Sequence, residues 1–78
     1  MNIYLVRHKT KRYDSWEDNT IISFTITLLI AENEEMVLKM VGGNRKETLF
    51  DDREITLESI ECIGKSNSDI PRIIIRTN

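Results

Sequence analysis

Hydrophobic and polar positions alternate most regularly in the second quarter of the chain. Ile22, Phe24, Ile26, Leu28 and Ile30 share one parity, and Ser23, Thr25 and Thr27 share the other. A period of two sustained this long, in largely β-branched residues, predicts a strand over Thr20–Ala31. Its polar row is made of small hydroxyl side chains, suited to face water, a second subunit or a ligand. Residues 2–9 read as another strand, with Ile3 and Leu5 on one face and Tyr4 and Val6 on the other. Between the two, Thr10–Asn19 is polar and holds Asp14, Ser15, Asp18 and Asn19, which predicts a loop.

After Ala31 the period changes. Asn33 is a natural N-cap, Glu34 and Glu35 complement the dipole of a first helical turn, and Met36, Val37, Met40 and Val41 form a stripe. Gly42-Gly43 ends the helix. So short a helix does not persist alone and must pack on the sheet. Asn44–Arg53 reads as a loop or weak hairpin around Leu49-Phe50, and Thr56 as the cap of a single turn through Leu57 and Glu58. Ser59–Gly64 follows as a strand with Ile60 and Cys62 on one face, then a Lys65–Asp69 turn and a last strand over Arg72–Arg76. There Arg72, Ile74 and Arg76 would share a face, and Pro71 sits where a strand start tolerates it. The order β-β-α-β-β predicts one α+β domain over residues 1–78. It is an antiparallel sheet of about four strands with one helix on one face.

Composition narrows the class. At 78 residues, 40% hydrophobic and 31% charged, the chain is ordinary for a folded domain but near the lower limit for a stable core. One cysteine excludes an internal disulfide, and one cysteine with one histidine does not make a structural zinc site. Self-association is the remaining support, so a homodimer or larger is expected. No secretory signal is read at Met1-Asn2-Ile3-Tyr4, and no apolar run is long enough to span a bilayer, so a cytoplasmic protein without a membrane partner is expected. No cofactor is expected. The net charge of −2 and the shortness of the basic stretch argue against nucleic acid.

Charge is nevertheless polarised. Arg7, His8, Lys9, Lys11 and Arg12 lie within six positions, followed by Tyr13 and Trp16. Cations pair with phosphates and rings stack on bases, so these seven residues are the candidate site for a small anionic, nucleotide-like ligand. Ser23, Thr25 and Thr27 would add hydroxyls. The bland reading is a solvated hairpin loop whose cations pair with Asp14, Glu17 and Asp18. His8 as a catalytic acid or base, and Cys62 as a nucleophile, have no partners in the sequence, and Cys62 reads as a small buried apolar residue. Asp51-Asp52 with Glu54 lacks the spacing of a calcium loop, and Gly64-Lys65-Ser66 lacks the first glycine of a P-loop.

Ile3-Tyr4-Leu5-Val6-Arg7-His8 resembles the opening strand of the histidine phosphatases, but Lys9 stands where that family places glycine and no second histidine exists. That reaction cannot be assembled, and no enzyme is expected. Leu5-Val6-Arg7, Tyr13-Asp14, Ala31-Glu32-Asn33-Glu34-Glu35 and Ile63-Gly64-Lys65-Ser66 resemble, in their order, a group of short proteins encoded by phages and prophage-carrying bacteria. The resemblance implies a non-enzymatic inhibitor of host defence that occludes a host protein or sequesters a nucleotide signal. The reading taken forward is sequestration of an anionic, nucleotide-like ligand by a homo-oligomer, buried between two protomers. The alternative is an inhibitor or adaptor that docks on a host protein through its acidic surface or a sheet edge.

Overall fold

The alternation of the first thirty residues builds one long hairpin. In the computed structural model, which describes residues 1–47 and 52–77, β1 (Asn2–Asp14) and β2 (Asn19–Ala31) pair without interruption from Asn2↔Ala31 to Asp14↔Asn19. The region expected to be a loop is thus mostly strand, and only residues 15–18 turn. Lys11, Arg12 and Tyr13 are polar, but each lies opposite an Ile22, Ile21 or Thr20 that favours extended backbone. Cross-strand pairing outweighed their local polarity. The turn closes on side chains: Asp14 accepts from the Trp16 amide at 3.0 Å, the Tyr13 hydroxyl donates to Asp18, and Asp18 takes φ +50, which aspartate tolerates.

The helix α1 (Glu34–Val41) follows as expected. Asn33 Oδ1 accepts from the Met36 amide at 2.9 Å, and Gly42, at φ +81, donates its amide to the Leu38 carbonyl. Val37 is fully buried against Tyr4, Val6, Leu29 and Ala31, with Met36, Met40, Val41, Leu57 and Ile60 around them. This cluster sits at one end of the hairpin. The rest of the hairpin projects beyond it, giving extents of 48 × 18 × 16 Å, and a strand of thirteen residues spans about 44 Å.

The sheet is antiparallel and five-stranded, in the order β3-β4-β1-β2-β5, with β3 (Arg45–Glu47), β4 (Arg53–Lys65) and β5 (Arg72–Thr77). The α+β class holds, while strand number and extent differ from expectation. The Leu49-Phe50 hairpin tip falls outside the described residues. The expected turn at Thr56–Glu58 is strand: Leu57 pairs with His8 and Ser59 with Arg7, and Glu58 is the extra residue of a bulge. The bulge moves the inward row from Ile55 and Leu57 to Ile60 and Cys62, so no single period fits the segment. A bulge at Ile74 in β5 leaves Arg72 opposite Ile30 and Arg76 opposite Thr27, on different faces, although strict alternation predicts one. Cys62, expected to be buried, is exposed: it lies on β4 beyond Ile55, where that strand is an outer edge with no neighbouring strand among the described residues.

Register assigns the two faces. Tyr4, Val6, His8, Thr10 and Arg12 share the helix side with Leu29, Thr27, Thr25, Ser23 and Ile21. The opposite face carries Ile22, Phe24, Ile26, Leu28 and Ile30 beside Leu5, Arg7, Lys9 and Lys11. The helix covers the end of the face that carries the hydroxyl row, because that row turns apolar at Leu29 and Ala31 and meets Tyr4 and Val6 there. The apolar row lies on the other side.

Candidate functional site

Beyond the end of α1 the hydroxyl face forms an open trough of about 480 Å³. Its floor comes from β1 and β2: His8, Thr10 and Arg12 beside Thr27, Thr25 and Ser23. Arg45 and Arg53 enter from β3 and β4 and Arg76 from β5, while Ile21, Ile55 and Val41 supply apolar wall. Four arginines thus converge from four strands, and no carboxylate lines the trough among the described residues. Glu47 stands at its edge and pairs with Arg45 at 3.1 Å and with Arg53 at 3.9 Å. Arg12 and Arg53 are also engaged within the chain. Among the described residues Glu47 is the carboxylate seen to pair with these arginines, and it offsets part of their charge.

Two floor residues are buried. His8 is 7% exposed and donates from Nε2 to the Gly42 carbonyl at 3.0 Å; a carbonyl only accepts, so Nε2 carries a proton. This bond ties the floor to the C-terminus of α1. Thr27 is 1% exposed, and its Oγ1 finds no hydrogen-bond partner among the described residues. A buried hydroxyl without a partner is destabilising, and sites that bind polar ligands tolerate such groups. Gly42 is required where it is: its φ of +81 disfavours side chains, and a Cβ there would meet Arg45 Nη1 at 3.2 Å.

The seven residues expected to form one site are divided. His8 and Arg12 lie in the trough. Arg7, Lys9, Lys11 and Tyr13 are on the other face, because alternation along a strand sends neighbours to opposite sides, whereas a loop gathers them. Arg7 is occupied there by the Phe24 ring, 4.4 Å from its centroid. Trp16 sits at the hairpin tip, 96% exposed and remote from the trough. Tyr13 and Lys11 line a second hollow of about 340 Å³ in which Lys46 and Arg53 are balanced by Asp52 and Glu54. Ser23, Thr25 and Thr27 line the same trough as His8 and Arg12. Arg45 and Arg53 were missed because their segment reads as a loop; the Ile55-Leu57 alternation after Arg53 is the signal that would have found it.

Among the described residues no helix is long and apolar enough to cross a membrane, and no three His, Cys, Asp or Glu side chains group to hold a metal ion. Comparison with family models, with curated proteins and with solved structures returned no match.

Proposed function

We propose that this protein binds a small phosphate-bearing anion, of the nucleotide class, in the arginine trough and acts by sequestering it. The observation that carries the reading is the convergence of Arg12, Arg45, Arg53 and Arg76 on a floor of hydroxyls, with no carboxylate in the described lining. Guanidinium groups recognise phosphate oxygens with paired hydrogen bonds, and hydroxyls complete the shell. The apolar flanks Ile21, Ile55 and Val41 suit the less polar part of such a ligand, and the volume lies in the range of small-molecule sites. A binding rather than catalytic role is favoured because His8 already spends Nε2 on Gly42, and Cys62 is about 13 Å further along the sheet. The resemblance to small phage-encoded proteins is compatible with this reading, since it implies either sequestration of a nucleotide signal or occlusion of a host protein.

The test is a thermal-shift series with mononucleotides, cyclic dinucleotides and inorganic phosphates at constant protein concentration. A ligand at a hundred times its dissociation constant adds about 2.7 kcal/mol, or on the order of 10–20 °C in a chain this size. Arg76→Ala and Arg45→Ala should abolish most of the shift, and Arg7→Ala should leave it intact. A flat response to every phosphate refutes the reading. It would favour a host protein as partner instead, docked along the outer edge of β4, which beyond Ile55 has no neighbouring strand among the described residues.

A further inference from the structure

We propose that the sheet face opposite α1 is the interface of a homodimer, in which two copies stack their β2 rows to form a two-sheet sandwich. The inference goes beyond ligand binding and stands on different residues. Ile22, Phe24 and Ile26 of β2 and Ile75 of β5 are 52%, 41%, 43% and 54% exposed on this face. They form a continuous stripe with half-buried Leu28 and buried Ile30. Scattered apolar side chains on a surface are ordinary, but a stripe along a whole strand is not.

Surface area identifies the occupant. A compact monomer of 9.1 kDa exposes about 4,900 Å², whereas this chain exposes 5780 Å². The surplus of about 900 Å² matches the roughly 800 Å² that each partner buries in an interface of standard size. The radius of gyration agrees: it is 14.5 Å, against about 11.5 Å for a compact chain of this length. Half of a sandwich has these dimensions.

Charge then selects the symmetry axis. Across this face β4 presents Glu54, Thr56, Ser59 and Glu61, β1 presents Arg7, Lys9 and Lys11, β2 presents the apolar stripe, and β5 presents Ile75 and Thr77 with Arg72 at its far end, level with Ile3 rather than with the β1 cations. A two-fold axis running across the strands would lay one cationic row on the other. An axis running along β2 stacks stripe on stripe and carries each β1 to the side of the partner's β5. The cations then flank the apolar centre as a rim, the usual anatomy of an interface, with the sheets about 10 Å apart. Both arginine troughs face outwards on opposite sides, so the dimer would form without ligand and hold two independent sites.

Sedimentation velocity of the full chain between about 1 and 100 μM, with no ligand added, tests this, since standard-size interfaces reach micromolar affinity or better. The expected species has twice the 9.1 kDa chain mass. Ile26→Glu and Ile22→Glu should each raise the dissociation constant by about 100-fold or more while keeping a β-sheet circular dichroism spectrum. Each new carboxylate lies opposite a cation, Arg7 or Lys11, so the hairpin can carry it. If Ile26→Glu unfolds, Ile22→Glu near the bare end of the hairpin decides. A 9.1 kDa species throughout overturns the proposal, as does a dimer whose affinity neither glutamate changes. Either result leaves the ligand reading open to its own test.

Discussion

Thr27→Val should make this protein more stable and a poorer binder at once. Thr27 is 1% exposed, lies between Val6 and Arg76 in the sheet, and has no partner for Oγ1 among the described residues. Burying a hydroxyl without a hydrogen bond costs about 1–3 kcal/mol. Valine has the same shape and β-propensity, removes that penalty, and adds a buried methyl worth about 0.8 kcal/mol. The expected gain is about 2–4 kcal/mol, and at about 4–8 °C per kcal/mol the melting temperature should rise by roughly 8–30 °C. Urea unfolding should show a higher midpoint at an unchanged m-value. Protein concentration must be held constant, because self-association also raises the melting temperature. Thr25→Val, half-buried in the same row, is the control and should stay within about 0.5 kcal/mol. In the anion titration Thr27→Val should bind about 3- to 10-fold more weakly, the value of one hydrogen bond. An unchanged or lower melting temperature would refute the reasoning, since it would mean that the hydroxyl is satisfied in the native protein.

Two further outcomes follow from single residues. Gly42→Ala places a side chain at φ +81 and should lose about 1–3 kcal/mol of stability in a urea titration; its Cβ also crowds Arg45, so anion affinity should fall with it. The hydrogen bond to Asp18, then desolvation, then the charge of Asp14 raise the Tyr13 pKa above its ordinary 10.0. A raised folded pKa stabilises while the phenol is protonated, so this contribution is present below pH 10 and is lost as pH rises through the folded value. Absorbance titration should show Tyr13 ionising late, and Tyr13→Phe should flatten that part of the alkaline stability profile.

Much of the architecture was legible because it is written in local periodicity. The β2 alternation, the Asn33 cap, the Met36–Val41 stripe and the Gly42 stop each depend on neighbours within one or two turns, and each formed as read. Bulges were not legible, since an extra residue at Glu58 or Ile74 is visible only against the strand it pairs with. The extension of β1 through Lys11–Tyr13 was hidden for a related reason: its stabilisation comes from β2 across the ladder rather than from its own polarity.

The candidate site shows the same division. The sequence alone determined that cations cluster between Arg7 and Arg12 and that hydroxyls alternate along Ser23–Thr27. Only the tertiary structure decided which of these meet. Parity in a strand separated His8 and Arg12 from Arg7, Lys9 and Lys11, and the ladder brought Arg45, Arg53 and Arg76 to them from up to sixty-eight residues away (His8 to Arg76). The tertiary structure also chose the side for the helix, and thereby left Ile22, Phe24 and Ile26 of the most hydrophobic row exposed. A pattern along the chain states which residues share a face; which face is covered depends on what packs there, and that is a property of distant segments.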